Sequence, residues 1–303
     1  MFFSQRTNLN IDGHSSINFV DIRLDTDTKL FIDPSIIETN KDQLSQEADH
    51  IISSFFNVFY SHYKNYGISR RQIKKLLSNF HEVNDTKLGY GNGRNGKGRT
   101  SHGLLEYFEP LPKLLDDGVP LGRANDILYF IGGIAEDFLS DMITNILFDL
   151  LNDFTLSNAT ELGLSKFIKN YRGYYYWNAG SRNWQRKNGK RLVIDGSPIL
   201  LVPKQFVCTG FLQNAEHFFR HQVLRQRQED NTAYLSDGTV IIPTKKAEEE
   251  FLLAKNPSKR EWNTRSAIDH PHLLERQHNA TPTNYATRMM TDDELDRVVY
   301  RGR

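Results

Sequence analysis

Residues 123–155 read RANDILYFIGGIAEDFLSDMITNILFDLLNDFT, and their spacing decides the fold class. Ile134, Ala135, Phe138, Leu139, Met142, Ile143, Ile146, Leu147, Leu150 and Leu151 recur every three or four residues, the period of a helix with one apolar face. Gly132 and Gly133 interrupt the pattern, so two helices joined at a bend are expected. Downstream the texture changes. RLVIDGSPILLVPK (191–204) carries two short apolar runs around Asp195-Gly196, a pair that favours a tight β-hairpin turn.

The flanks extend this mixture. Phe19, Val20 and Ile22, then Leu30, Phe31 and Ile32, flank the polar turn 25–28 and predict an N-terminal hairpin closed by Pro34. Residues 42–66 carry Leu44, Ala48, Ile51, Ile52, Phe55, Phe56, Val58 and Phe59 at helical spacing, with Gly67 in the C-terminal cap position. Ser69 is the expected cap of a helix reaching about Phe80, with Arg70, Arg71, Lys74 and Lys75 on a basic face. Further on, a helix over 211–227, a short strand over 239–242 and a capping box at Thr291 and Glu294 are predicted. The class is α+β, helix-dominated, with short hairpins near the N-terminus and around residues 191–203. A composition shift near residue 163 suggests two parts, 1–163 and 164–303, or one continuous domain.

Composition narrows the function. At 303 residues with 38% hydrophobic and 12% aromatic residues, the chain has material for a large core. Lys plus Arg number 38 against 37 Asp plus Glu, which excludes a globally basic nucleic-acid binder. The single Cys208 excludes an intramolecular disulfide and a CxxC zinc site. No run of 18 apolar residues and no signal-peptide pattern is seen, so the expectation is a cytoplasmic protein with no membrane association.

Local charge says more than the total. Between Gly163 and Arg191 stand eight cations (Lys166, Lys169, Arg172, Arg182, Arg186, Lys187, Lys190 and Arg191) and no acid, interleaved with Tyr171, Tyr174, Tyr175, Tyr176, Trp177 and Trp184. Without them the chain holds 30 basic and 37 acidic residues. Cations that pair with phosphates beside rings on which bases stack are what single-strand binding requires. Two other readings compete: rings that anchor a loop to the core under solvated cations, and a surface for an acidic protein partner.

Residues 89–103, GYGNGRNGKGRTSHG, contain six glycines and must be a loop. Gly91 to Lys97 satisfy G-x-x-x-x-G-K, but Gly98 stands where a P-loop needs Ser or Thr for magnesium, and no buried strand precedes. With Lys87, Arg94, Lys97 and Arg99 and no acid from 87 to 104, the alternatives are a surface loop or one that closes over a phosphate backbone.

Asp137, Asp141 and Asn145 lie at i, i+4 and i+8, so their oxygens share one helix face and suit a hard divalent cation such as magnesium. Paired carboxylates support metal-assisted phosphodiester hydrolysis; the competing reading is an acidic solvent face. Lys204 follows the apolar run ILLVP, as the lysine does in PD-(D/E)xK nucleases, although Val202 occupies the acidic position and Asp195 is nine residues away. His217 and His221, in EHFFRH, lack the glutamate a zincin needs, since Phe218 stands there.

Three stretches, TKLFIDPSII, GIAEDFLSDMITNILFDLLNDFT and PILLVPK, together resemble an uncharacterised bacterial protein family with a D-x-x-S-D-x-x-T-N helix and an LVPK strand, associated with antiviral defence or mobile loci. The resemblance implies that Asp137, Asp141, Asn145 and Lys204 share one site. The resulting expectation is a nucleic-acid-acting effector, a magnesium-dependent nuclease of a bacterial defence system. Asp137 and Asp141 are the expected metal ligands with Asn145, and Lys204 the group that polarises the phosphate. Lys97, Arg99, Lys169, Arg172, Trp177, Arg182, Trp184, Arg186 and Lys187 are the expected nucleic-acid contacts. The alternative is a non-catalytic adaptor or sensor that binds nucleic acid or a protein partner from the same locus; a third reading is an enzyme acting on a small nucleotide.

Overall fold

The structure, a computed structural model, describes residues 1–90, 101–286 and 288–301. It is a helix-dominated α+β fold with small sheets. The long helix Gln43–Lys64 is capped by Asp42, whose side chain accepts the Ser45 N–H, and buries Ala48, Ile52, Phe55, Phe56, Phe59, Tyr60 and Tyr63 on one face. It ends at Asn65, and a second helix, Tyr66–Leu77, starts at once. Gly67 and Ser69 therefore lie in the first turn of this helix rather than in the capping positions expected of them.

The bend expected at Gly132-Gly133 is present: a short helix Asp126–Phe130 ends before it, and the acidic helix Glu136–Ile146 starts after it. Leu147, at ψ 6°, makes a second break, and the helix Phe148–Glu161 follows at once. The N-terminal arms are extended, the second forming a short strand and the first a single bridge, but they do not pair with each other. Strand β1 (Phe31–Ile32) pairs antiparallel with β5 (Val207–Cys208), while Phe19 bridges Pro203 and Val20 N–H donates to the Val202 carbonyl at 3.0 Å. The physical reason is burial. Phe19, Val20, Ile22, Leu30, Phe31 and Ile32 are all covered, so each arm needs a partner within the core, which the 200–208 segment supplies.

The largest sheet has the order β2-β3-β4, from β2 (Ile168–Asn178), β3 (Asn183–Ile194) and β4 (Ser197–Ile199). Asp195 and Gly196 join β3 to β4 with φ of +51° and +83°, the left-handed pair of the expected tight turn. The β2–β3 ribbon shifts register between Tyr171 and Tyr174. Gly173 sits in that bulge because a Cβ there would collide with Asn188 Oδ1 and lie 3.0 Å from the Lys187 carbonyl.

The C-terminal third holds a helical run from Ala215 to Asp230 with a π-helical stretch over Phe219–Val223, the strands β6 (Ala233–Tyr234) and β7 (Val240–Ile241), and helices Lys245–Lys255, Lys259–Asp269 and His272–Tyr285. A last helix, Asp292–Arg301, opens with the predicted capping box, Thr291 and Glu294 bonding reciprocally. It docks on the start of the chain, where His14 Nδ1 meets Asp296 at 2.6 Å and His14 Nε2 accepts the Asp21 N–H. One hydrophobic cluster runs through residues on both sides of position 163, from Phe3 to Val299. Among the described residues no helix is long and apolar enough to cross a membrane.

Candidate nucleic-acid interface and acidic site

The basic aromatic segment is the β2–β3 ribbon, and its two tryptophans face inward. Trp177 is 2% exposed, its ring edge-on to Phe55 at 5.0 Å and its Nε1–H donated to Ser54 Oγ. Trp184 is 8% exposed, packs on Phe55, Phe80 and Trp177, and donates Nε1–H to the Leu76 carbonyl. Neither ring is available to a base, which corrects the expected stacking role of both. They pin the ribbon tip to the long helix, because an indole buries a large apolar area while its N–H finds an acceptor.

Two of the eight cations are also engaged. Lys187 pairs with Asp149 at 2.7 Å and Asp153 at 3.8 Å, and Asp149 also accepts the Tyr174 hydroxyl. Arg191 is buried, bonded to Asp85 at 2.9 Å and stacked over Phe148 and Tyr174. The other six, Lys166, Lys169, Arg172, Arg182, Arg186 and Lys190, are exposed and make no ion pair among the described residues. Directly across the ribbon from Arg186 stands Tyr175, 49% exposed. An outward ring thus stands opposite a guanidinium on the exposed side of the ribbon. A sequence signal for it existed: NAGSRN (178–183), between two aromatic-rich runs, is a hairpin turn composition that fixes this register. Lys97 and Arg99 lie outside the described residues.

Asp137 and Asp141 do share one face of the acidic helix. Burial raises the Asp141 carboxyl most, the neighbouring Asp137 charge adds to it, and Glu82 and Asp27 add more, pushing it up to about 8. Asp137 is raised as well, by burial and then by Glu82, Asp27 and Glu136. This is an acidic nest in which each carboxylate disfavours ionisation of the next. The Asn145 amide nitrogen donates to the His81 and Asp141 carbonyls at 2.7 and 2.8 Å, holding the 81–85 segment against the helix. Ser140 and Thr144 are structural too: Ser140 Oγ accepts the Ile32 N–H, and Thr144 Oγ1 donates to the Ser140 carbonyl. Among the described residues no group of three or more His, Cys, Asp or Glu has metal-binding geometry.

Lys204 is elsewhere. Its ammonium donates to the His14 carbonyl at 2.7 Å and pairs with Asp292 at 2.6 Å, and no described contact joins it to Asp137 or Asp141. Once Leu200, Leu201 and Val202 are buried, the chain turns into the short 3-10 helix at Lys204, and the side chain exits toward the C-terminal helix. The expected acid-plus-lysine constellation is therefore not assembled. His217 and His221 stack at 4.3 Å, and burial, then the second imidazole, drives His217 down to about 4.

What connects the acidic nest to the ribbon is the 81–85 segment. Val83 N–H points at Asp141 Oδ1 from 3.5 Å, and two residues on Asp85 holds Arg191 of β3. The arrangement defines a helix-dominated α+β protein with a basic β-ribbon braced beside a half-buried carboxylate pair. The chain belongs to the family of the domain of unknown function DUF8370, whose model matches residues 8–212, a span that takes in both the acidic helix and the whole ribbon. No curated protein and no solved structure matches the chain.

Proposed function

We propose that this protein binds nucleic acid along the outer surface of the β2–β3 ribbon. The observation that carries the reading is the set of six exposed cations, without counter-ions among the described residues, in the 26-residue stretch from Lys166 to Arg191, which contains no acid. Phosphates pair with Lys169, Arg172, Arg182, Arg186 and Lys190, while Tyr175 offers its ring to an unpaired base beside Arg186. Arg191 and Lys187 hold the ribbon in place through Asp85 and Asp149. Fluorescence anisotropy with single-stranded and duplex oligonucleotides tests this. Wild type binds at low salt, a Lys169→Ala, Arg172→Ala, Arg186→Ala variant loses most of that affinity, and Tyr175→Ala weakens single-strand binding selectively. Wild-type protein that binds neither form contradicts the reading.

A second reading, phosphodiester hydrolysis with a divalent cation at Asp137 and Asp141, is favoured by the high Asp141 carboxyl. Two carboxylates that resist ionising together accept a magnesium ion readily, since it neutralises both. Lys204 takes no part. Magnesium- or manganese-dependent cleavage abolished by Asp137→Asn and Asp141→Asn supports it, and cleavage indifferent to both removes it. The setting we propose, an antiviral defence or mobile locus with a protein partner encoded nearby, rests on the resemblance of the D-x-x-S-D-x-x-T-N helix and LVPK strand alone. Phage challenge of cells with and without the gene tests it.

A further inference from the structure

The β6–β7 hairpin is an apolar arm without a core. Tyr234, Leu235, Val240, Ile241 and Ile242 are all exposed, Tyr234 at 79% and Ile242 at 61%, on two strands of two residues each. A hairpin this short does not support itself in water, and a bare run of Val-Ile-Ile at a strand edge invites pairing with another strand.

The hydrogen-bond alternation identifies which edge is open. Leu235 N–H donates to the Thr239 carbonyl, so this pair is hydrogen-bonded, and by the antiparallel alternation so is Ala233 with Ile241, while Tyr234 and Val240 form the non-bonded pair. Thr239 and Ile241 therefore point their backbone groups at β6. Val240 and Ile242 point theirs outward, to the free edge. Pro243, which has no N–H, falls at an inward position and leaves that edge intact.

We propose that β7 is a dimerisation strand that pairs antiparallel with β7 of a second copy of this chain, the two-fold axis passing through Ile241. In that register Val240 faces Ile242 of the other copy and the reverse, each pair exchanging two backbone bonds, and Ile241 meets Ile241 across the axis. The same register brings Asp237, at the tip of one hairpin, level with Lys245 at the base of the other. Lys245 stands among Arg220, Arg225 and Arg276, a crowd of cations that an incoming carboxylate complements. Both faces of the joined strands are apolar, so pairing also removes Val240 and Ile242 from water.

Full-length protein with Ile241→Cys tests the register. Opposed residues of a non-hydrogen-bonded antiparallel pair lie within disulfide reach, and the native Cys208 is buried. Mild oxidation is expected to convert Ile241→Cys to a covalent dimer while Ser236→Cys, also exposed at the tip, stays monomeric. Wild type is expected to sediment as two chains. Val240→Pro removes one outward N–H without touching a β6 bond, and is expected to sediment as one chain with unchanged circular dichroism. Wild type that is monomeric at every concentration, as it would be if a different protein covered the arm, overturns the proposal; so does equal cross-linking at 236 and 241.

Discussion

Replacing Trp184 with alanine separates an anchor from a stacking platform. The ring is almost wholly buried against Phe55, Phe80 and Trp177, with centroids 5.9, 5.6 and 5.8 Å away. Truncating a buried tryptophan costs about 3–5 kcal/mol in transfer and cavity terms. The lost bond to the Leu76 carbonyl adds about 1 kcal/mol, because that carbonyl lies in the last turn of Tyr66–Leu77 and has no helical partner. Together this is a large share of the roughly 5–15 kcal/mol that holds a typical domain folded. Urea unfolding followed by far-ultraviolet circular dichroism reads the loss as a lower midpoint. Trp184→Phe keeps part of the ring contacts, drops the bond and is expected to lose less, about 1–3 kcal/mol. Arg186→Ala, on the outer surface, is expected to change stability by less than about 0.5 kcal/mol. Should Trp184→Ala unfold like wild type while binding oligonucleotides more weakly, the ring faces solvent and the anchoring argument is wrong.

Asp141 makes stability depend on pH. Its folded pKa of about 8 lies above the ordinary carboxylate value, so the folded chain holds a proton that the unfolded chain has released, and stability falls as pH rises from about 4 to 8. Asp141→Asn removes that penalty; its gain should grow across this window to the order of a few kcal/mol and vanish near pH 4, whereas a flat difference refutes the assignment. If the pair holds magnesium, the ion raises the wild-type melting temperature at pH 8 and leaves Asp141→Asn unmoved. Arg191→Ala strands Asp85 and uncovers Phe148 and Tyr174, with an expected loss of about 3–5 kcal/mol by thermal unfolding, while Lys190→Ala beside it is near neutral.

Local chemistry was legible where it is self-contained. Asp195-Gly196 announces its turn because few residue pairs tolerate two positive φ values in succession, and Gly132-Gly133 announces a helix break for want of side chains. Asp137 and Asp141 share a face by helical periodicity alone. What stayed hidden depends on distant partners. Phe19 and Phe31 pair with a segment more than 170 residues away, and Lys204 is drawn to Asp292, a residue in the last helix. The ribbon hid for another reason. Its bulge and twist bury Tyr174 on one side and Trp177 on the other, so the alternation that marks a half-buried strand never appears. Nothing near Asp141 in sequence announces Asp27 and Glu82, which raise its carboxyl.

The most direct test of the ribbon as a nucleic-acid interface is the salt dependence of oligonucleotide affinity, measured for wild type and for Lys169→Ala, Arg172→Ala, Arg186→Ala. Each phosphate contact contributes a slope of about 0.7–0.9 in log affinity against log salt, so removing three should flatten the slope by about 2. An unchanged slope, or no binding by wild type at low salt, would contradict the account.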